Sequence, residues 1–260
     1  YERSLELREE LGDKRTMMVS LQNIGHIYKH NGDYENALDS YEKSLKIAEE
    51  IDDKKLMGYN LHSIGFIYEN NGDYEKVFDY FTRSLKIHEE LDDKSAMRYG
   101  LFYIGFVYLI KSDYDNALDY YHRRLRICEE LDDKDGISKT LFRIGWIYYA
   151  MGEYSKALDN YNSILLIDEE LGSEHSIQIV FANMGLVYLQ EEDYNKAVEY
   201  LEKSATIQLK MDGTITLETA SHLFLSKKIL GKEYNIKKIH TLIKEQKEIK
   251  DYINFALFKL

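Results

Sequence analysis

The feature that most constrains this sequence is a pattern that returns every 40 residues. Glycine recurs at this step five times, from Gly25 to Gly185, and a tyrosine follows each of these glycines by three residues. Another series of tyrosines runs from Tyr34 to Tyr234 with the same spacing. A fixed period of this length is typical of an array of structural repeats, each of which packs against its neighbours. The chain is therefore predicted to be a repeat array.

Each repeat is predicted to contain two helices. In residues 61–68, the apolar residues and the glycine follow the i, i+3, i+4, i+7 spacing of a helical stripe. Gly72 can take the left-handed conformation that ends this first helix, and Asp73 can cap the second helix, whose inward residues lie within 77–87. An Asp-Asp-Lys turn follows, and its second aspartate, such as Asp53, is placed to cap the first helix of the next repeat.

These spacings resemble a known family. The pattern L-x2-I-G-x2-Y at residues 21–28, followed by A-x3-Y at 37–41, resembles the tetratricopeptide (TPR) repeat. The period of 40 residues and the absence of proline are similar to a longer TPR variant found in signalling scaffolds and bacterial regulators. The resemblance implies an all-α fold, a right-handed α-solenoid built from antiparallel helix pairs.

The repeat boundaries follow from the period. They predict the second helix of a truncated repeat at 1–13, five full repeats at 14–53, 54–93, 94–133, 134–173 and 174–213, a degenerate repeat at 214–249 and a C-terminal capping helix at 250–260. Because the chain begins inside the pattern, we expect it to be part of a longer protein. Its two ends are candidates for self-association, since arrays need polar caps for solubility.

Composition excludes several classes of partner. The 34 lysines and arginines face 46 acidic residues, so the net charge is −12, and a basic surface for nucleic acid is not expected. No apolar run approaches the ~18 residues that a membrane span requires. The single cysteine, Cys128, excludes a disulfide framework within the chain and fits a reducing compartment. A cytoplasmic location is predicted.

One face of the first helices does not follow the repeat. We call it the first-helix face; it consists of residues 19, 22, 23, 26, 29 and 30 of the first full repeat and their equivalents at steps of 40. The third repeat has Phe102, Tyr103 and Phe106 there, whereas the first repeat has polar residues such as Gln22. Packing alone would require apolar residues in every repeat. In the proteins that this chain resembles, this face lines the concave surface of the superhelix.

The aromatic patch is interpreted as a ligand-contacting groove, with self-packing or an oligomer contact as the alternative. Tyrosine, tryptophan and arginine dominate binding hot spots. In several peptide-binding members of the family that this chain resembles, an asparagine at one position of the first helix binds the ligand backbone, and here only the first and fifth repeats keep it, as Asn23 and Asn183. Arg143, with Lys139 one turn earlier, could pair with an acidic group of a ligand. The residues predicted to line this one concave surface are Tyr59, Phe66, Tyr99, Phe102, Tyr103, Phe106, Lys139, Phe142, Arg143, Trp146, Tyr149, Asn23 and Asn183.

Other residue patterns in the sequence fall short of a chemical site. His26 and His30 share a helix face, with His62 one repeat on, but no carboxylate joins them at the spacing of a metal site. Nothing near Cys128 in the sequence would activate a nucleophilic thiol. The Glu-Glu pairs recur with the array and indicate solvated helix ends, and Gly231-Lys232 lacks the upstream glycine of a phosphate loop. No metal, cofactor or catalytic group is predicted.

The sequence therefore predicts a non-catalytic protein–protein interaction scaffold. Its expected ligand is a protein or peptide, such as an extended segment or partner helix, with bulky apolar anchors and an acidic group. The alternative is a self-associating regulatory module of a larger signalling protein, which would form homo-oligomers through the ends of the array. Nucleic acid and membrane are not expected as partners.

Overall fold

The computed structural model describes residues 13–213 and 215–232, and within these ranges the chain consists of helices joined by short turns, without a strand. In chain order, the helices of these ranges are α1 (Lys14–His30), α2 (Tyr34–Glu50), α3 (Lys54–Asn70), α4 (Tyr74–Glu90), α5 (Lys94–Ile110), α6 (Tyr114–Glu130), α7 (Lys134–Ala150), α8 (Tyr154–Leu171), α9 (Glu174–Gln190), α10 (Tyr194–Asp212) and α11 (Leu217–Ile229).

The helices alternate as the first and second helices of successive repeats, the odd-numbered ones being first helices. The chain divides into two compact units, an N-terminal unit Tyr1–Asp133 and a C-terminal unit Lys134–Leu260. Within each unit, a first helix packs against the second helix of its own repeat, and that second helix packs against the first helix of the next repeat. The predicted all-α solenoid of helix pairs is confirmed.

The core of each unit is made by the two periodic stripes. Apolar positions of a second helix meet those of the first helices on either side, so their apolar surface is removed from water only when repeats stack. The buried clusters of the N-terminal unit contain Ala37, Tyr41, Leu45, Leu61, Ile64, Ile67, Val77, Phe81, Leu85, Leu101, Ile104, Val107 and Ile127. Those of the C-terminal unit contain Ala157, Tyr161, Ile164, Val180, Met184, Val187, Val198, Leu201 and Leu223.

The helix ends follow the capping residues that the sequence predicts. A carboxylate oxygen of Asp53 accepts a hydrogen bond from the backbone N–H of Leu56 at 3.1 Å, and Asp73 accepts one from Lys76 at 3.3 Å. Asp93 caps α5 in the same way. These bonds satisfy N–H groups that have no partner within the first turn of a helix.

The turns between helices depend on left-handed residues. Gly72 has a φ of +72° and ends α3, as the sequence predicts. After the second helices the same conformation is taken by the first aspartate of the Asp-Asp-Lys turn, with φ of 54° at Asp52 and 51° at Asp92. Aspartate tolerates this region better than most residues, which explains why glycine is not required there.

The repeated glycine of each first helix marks a close contact between helices. A Cβ added at Gly105 would lie 3.2 Å from the ring of Tyr121 and 3.3 Å from Cβ of Tyr120, both on α6. At Gly145 the nearest ring atom, on Tyr161, would be only 2.8 Å away. A side chain at these positions would therefore press on the buried aromatic residue of the second helix.

Hydrogen bonds between the two helices of a repeat recur with the period as well. The hydroxyl of Ser44 on α2 donates to the backbone carbonyl of Met18 on α1 at 3.0 Å, and Ser84 on α4 donates to the carbonyl of Gly58 on α3 at 2.9 Å. Both serines are buried. Each bond therefore joins the two helices of one repeat inside their interface.

The Glu-Glu pairs lie at exposed helix ends, as predicted. The second glutamate of a pair contacts the lysine that begins the first helix of the same repeat, with Lys54 Nζ 2.7 Å from Glu90 and Lys94 Nζ 2.9 Å from Glu130. Such exposed ion pairs contribute little to stability.

Several predicted elements lie wholly or partly outside the described residues. The truncated helix at 1–13, the second helix of the degenerate repeat within 214–249, and the capping helix at 250–260 fall on residues 1–12, 214 and 233–260. α11 lies where the first helix of the degenerate repeat is expected. The self-association hypothesis, which depends on the two ends, stays a prediction.

Candidate functional site

The aromatic residues predicted for the third repeat form a layer on the N-terminal unit, anchored to its core. Tyr103 stacks on buried Phe81, with ring centroids 4.3 Å apart. Phe66 and Phe102 meet Tyr103 edge-on, at 6.4 and 5.3 Å. Burial raises the pKa of Tyr103 to about 12. Tyr103 thus joins the first-helix face to the core, and it is half-buried, as are Phe66 and Phe102.

Tyr99 is the most exposed aromatic side chain of this layer. It is 42% exposed, and the ring of His62 packs against it edge-on at 5.5 Å. The guanidinium of Arg98 lies 4.8 Å from the ring centroid and donates to the Tyr99 hydroxyl at 2.9 Å. Arg98 also forms an ion pair with Asp133. Two charged or polar contacts therefore fix Tyr99 in place while its ring remains accessible.

A buried arginine of the second helix lies against the ring of Phe102. Arg124 of α6 places its guanidinium 5.1 Å from the Phe102 ring centroid, and its Nε donates to the backbone carbonyl of Arg98 at 3.1 Å. Burial lowers the pKa of Arg124. Its position corresponds to that of Ser84 one repeat earlier, which bonds the equivalent carbonyl. The position reads serine in the first two repeats and arginine in the third, so the sequence contains a departure from the repeat that could have marked Arg124 as a neighbour of the aromatic residues.

The remaining predicted residues of the N-terminal unit differ in what they contact. Tyr59 donates its hydroxyl to Asp93 Oδ2 at 3.0 Å, which ties it to the turn before α5. Lys29 places its ammonium 4.7 Å from the Phe66 ring centroid, a cation–π contact that the sequence did not suggest. Asn23 lies exposed on α1.

Two histidines of this face, His26 and His62, are packed or hydrogen-bonded. His26 Nδ1 lies 2.8 Å from the Tyr41 hydroxyl, and His62 packs edge-on against Phe81 at 5.1 Å. Burial lowers the pKa of His62 to about 4 and also lowers that of His26. Within residues 13–213 and 215–232, no three His, Cys, Asp or Glu side chains are grouped so as to hold a metal ion.

In the C-terminal unit, the predicted aromatic residues of α7 are partly covered by α8. Phe142 packs near Tyr161 with ring centroids 6.1 Å apart, and Tyr149 lies 6.0 Å from Tyr154. Both border the buried cluster of this unit. Trp146, between them on the helix, remains 39% exposed. Of the three aromatic residues, Trp146 presents the most surface to a ligand.

The polar residues predicted for this unit have local partners. Lys139 Nζ lies 2.6 Å from Asp135 Oδ2 one turn earlier on α7. Asn183 of α9 donates its amide to the backbone carbonyl of Ile179 at 2.8 Å. That bond uses one N–H of the amide, which keeps a second N–H and a carbonyl oxygen for other partners. Arg143 is half-buried.

The thiol of Cys128 has the character of a packing residue. It is fully buried on α6, and burial raises its pKa. A raised pKa leaves little thiolate, the reactive form, at neutral pH.

Comparison with solved structures finds many chains of the same fold. RapI in its apo form superposes with a TM-score of 0.73 at 20% identity, over 88% of this chain and 81% of that one. A Rap protein complexed with competence and sporulation factor gives 0.63 at 16% identity, over 86% and 62%. The tetratricopeptide repeat sensor protein of the STAND class from Pyrococcus horikoshii gives 0.80 at 16% identity, over 98% and 40%. At these identities, the likeness is one of fold.

No curated protein matches the sequence significantly. In the helices that the structure describes, the length and apolar character needed to cross a membrane are not found together. Two family models match the chain, and both describe the tetratricopeptide repeat. One matches at residues 1–50, 15–90 and 95–170, and the other matches at 180–210. Because these matches span most of the sequence, the chain belongs to the tetratricopeptide repeat family.

Proposed function

We propose that this chain is a non-catalytic scaffold that binds a peptide or a helix of a partner protein on its first-helix face. The tetratricopeptide repeat is a protein-interaction fold, and this array presents aromatic side chains on the face that the fold uses for ligands. Each of the two aromatic patches, around Tyr99 in the N-terminal unit and around Trp146 in the C-terminal unit, is proposed as a contact surface in its own right.

The observation that carries the proposal is the exposure of two large aromatic side chains that the core does not need. Tyr99 and Trp146 are 42% and 39% exposed, while the repeated apolar stripes of α5 and α7 are buried. Tryptophan and tyrosine are enriched among the residues that dominate binding energies, because they bury a large rigid surface. Burying one such side chain contributes roughly 1.5–3 kcal/mol.

The surroundings of these side chains favour a defined binding geometry. Tyr99 is fixed by Arg98 and His62, and Trp146 lies between Phe142 and Tyr149, whose rings pack against α8. A ligand that covers Tyr99 does not have to order that side chain first, which reduces the entropic cost of binding. A structure of the same fold, the Rap protein, is described in complex with competence and sporulation factor, so the fold can hold a ligand.

An acidic group on the ligand remains part of the proposal. Arg143 and Lys139 lie on the first-helix face of α7 beside Trp146. Lys139 already pairs with Asp135, so an acidic ligand must compete with that carboxylate for the lysine. The electrostatic contribution should therefore be modest and should shrink as salt is raised.

The test uses the single tryptophan of the chain as its reporter. Peptides selected from a displayed random library are titrated into the protein, and the emission of Trp146 is followed. A ligand that covers Trp146 changes its emission at a micromolar midpoint, an affinity that needs only a few well-buried anchors. Trp146→Ala should weaken binding of the same peptides tenfold or more by calorimetry, with an unchanged helix signal in circular dichroism.

Leu166→Ala is the matched control. Leu166 is 69% exposed on the second helix α8, so this change removes an exposed apolar side chain of the same unit away from the first-helix face. It should leave the affinity unchanged. Selected peptides that bind Trp146→Ala and wild type equally, or that lose affinity equally in Leu166→Ala, would show that the first-helix face of α7 is not the binding surface.

A further inference from the structure

A cavity of about 240 Å³ lies in the C-terminal unit between α9, α10 and α11. Its apolar lining includes Ile179, Ala182 and Leu186 from the first-helix face of α9, and Leu201 from α10. Asn183 also lines it, while Trp146 does not. The volume corresponds to roughly eight water molecules at about 30 Å³ each and is below the size of most drug-binding pockets. It suits one bulky side chain rather than a large ligand.

The repeat pattern explains why a cavity exists here. At the positions equivalent to Ala182, the third and fourth repeats carry Phe102 and Phe142. Each of those rings lies near the tyrosine of its own second helix, at 6.0 Å from Tyr121 and 6.1 Å from Tyr161. In the fifth repeat, the phenylalanine is replaced by alanine and the tyrosine by leucine.

Both partners of an aromatic pair are thus replaced by smaller side chains at one place. Leu201 fills part of the space and contacts the position of the repeated glycine, since a Cβ on Gly185 would lie 2.7 Å from its Cγ. Ala182 lines the cavity, so the space beside its methyl group stays open. Even a cavity of about 150 Å³ made by shortening a large side chain accepts benzene, so a hollow of this size and lining accepts a ring.

One wall of the cavity is a rigid polar network. Gln208 of α10 donates to the Thr216 hydroxyl at 3.3 Å and accepts from the Thr216 backbone N–H at 3.1 Å. The Thr216 hydroxyl in turn lies 3.0 Å from that of Thr219. These side chains satisfy one another and hold the start of α11 in place. The amide of Asn183, on the opposite helix, keeps one N–H and its carbonyl oxygen for a ligand.

The charge of the lining is negative. Glu218 is exposed in the first turn of α11, and no ion pair of this carboxylate occurs among residues 13–213 and 215–232. His222, one turn later, is the other titratable group of the lining, and burial lowers its pKa. The cavity is therefore bordered by a carboxylate and by an imidazole whose protonation burial disfavours. Such a border favours a positive over a negative charge beside a bound ring.

We infer that this cavity is an anchor pocket for an aromatic side chain of a peptide, with a positively charged group next to that residue. The ring of the peptide takes the place of the phenylalanine ring that the third and fourth repeats have at the position of Ala182. The amide of Asn183 meets the peptide backbone, and Glu218 attracts the positive group. The inference extends the proposed function to a separate position on the first-helix face. It can be tested without any peptide that contacts Trp146.

The experiment uses small probes and the methyl NMR signals of Ile179, Leu186 and Leu201. Phenylalaninamide carries the ring, an amide and a positive charge; N-acetyl-phenylalaninamide is neutral, and N-acetylphenylalanine is negative. All three should shift these methyl signals at millimolar concentrations, the range expected for ligands of this size. We expect the positive probe to bind severalfold more tightly than the neutral one and the negative probe to bind most weakly. N-acetyl-alaninamide, without a ring, should leave the signals unchanged.

Ala182→Phe supplies the ring from the protein itself. Phenylalanine occupies the equivalent position in two other repeats, so the variant should fold, and it should weaken the binding of phenylalaninamide at least tenfold. Ala150→Phe, which adds the same ring at an exposed position of α7, is the matched control and should bind as wild type does. A Glu218→Gln variant should remove the preference for the positive probe without abolishing the binding of the neutral one.

Several results would overturn the inference. One is that the ring-bearing probes leave the three methyl signals unchanged, and another is that Ala182→Phe binds phenylalaninamide as wild type does. p-Cresol, which has no amide or charge, distinguishes a site for free aromatic compounds from a site for a peptide side chain. If it binds as tightly as N-acetyl-phenylalaninamide, the cavity is a site for free aromatic compounds and the peptide assignment is wrong. If peptides bind in a Trp146-dependent manner but the probes do not bind, the proposed function is supported and the anchor pocket is wrong.

Discussion

Replacement of Gly105 tests whether the repeated glycine sets the distance between the two helices of a repeat. In Gly105→Leu, the new Cβ would lie 3.2 Å from the Tyr121 ring and 3.3 Å from Cβ of Tyr120, and the rest of the leucine would have to enter the same contact. Tyr121 is fully buried, so its ring has little room to move. The substitution should therefore force α5 and α6 apart.

The magnitude follows from two opposing terms. Overpacking of a well-packed interface costs about 1–3 kcal/mol, and a four-carbon side chain against a buried ring belongs at the upper end or slightly beyond. Removing a glycine from a helix interior returns roughly 1 kcal/mol. The free energy of unfolding of Gly105→Leu should therefore fall by about 2 kcal/mol or more. Gly105→Ala, which adds only the Cβ, should stay within about 1 kcal/mol of wild type, because the neighbouring side chains need to shift by only a few tenths of an ångström.

Urea unfolding followed by far-ultraviolet circular dichroism measures the global effect. Because the stability of a repeat array is approximately a sum over repeats and interfaces, amide hydrogen exchange should also show faster opening in α5 and α6 than elsewhere. Ala150→Leu, at an exposed helix end, controls for the added apolar side chain. A Gly105→Leu protein that unfolds at the same urea concentration as wild type would refute the close contact assigned to this glycine.

Two further predictions concern the N-terminal unit. The pKa of His62 is lowered from its ordinary 6.5 to about 4 by burial, so the unfolded state binds more protons between these values, and stability should fall as pH drops through this window, by at most about 1.4 kcal/mol per pH unit for this residue. His62→Gln should show a shallower loss in urea unfolding between pH 6.5 and 5, and equal slopes would contradict a buried neutral imidazole. Asp93→Ala should cost more than Asp33→Ala. Both aspartates cap a helix and accept one further side-chain bond, but the bond from the Tyr59 hydroxyl to Asp93 at 3.0 Å is partly buried, whereas the bond from the Asn36 amide to Asp33 at 2.7 Å is exposed. Thermal unfolding compares the two, and equal losses would mean that the Tyr59 bond contributes no more than the exposed Asn36 bond.

The aromatic layer shows where prediction of the site from sequence reached its limit. The sequence places Tyr99, Phe102 and Tyr103 on one helical face and marks them as exceptions to the repeat. It does not reveal that Tyr103 stacks on Phe81 of the preceding repeat or that Arg124 covers Phe102. Those contacts join residues more than 20 positions apart, and they decide how much of each ring remains for a ligand.

The cavity in the C-terminal unit shows a different limit. The small residues Ala182 and Leu201 are visible in the sequence as departures from the aromatic residues of earlier repeats. Their joint effect is a cavity only because α11 closes its third side with Thr216 and Glu218, and α11 belongs to the repeat that keeps least of the pattern. The degenerate pattern gave no basis for placing these side chains opposite α9.

The sequence by itself determined the helices, their ends and the close helix contact at each repeated glycine. Those features depend on interactions that are local or that return with the 40-residue period, such as the bond from Asp53 to Leu56. Only the tertiary structure decided which side chains of the first-helix face are accessible. The accessibility of a side chain depends on which side chains the neighbouring helices place beside it. Residues that depart from the period, such as Arg124 and Ala182, decide whether a position of this face is covered or open.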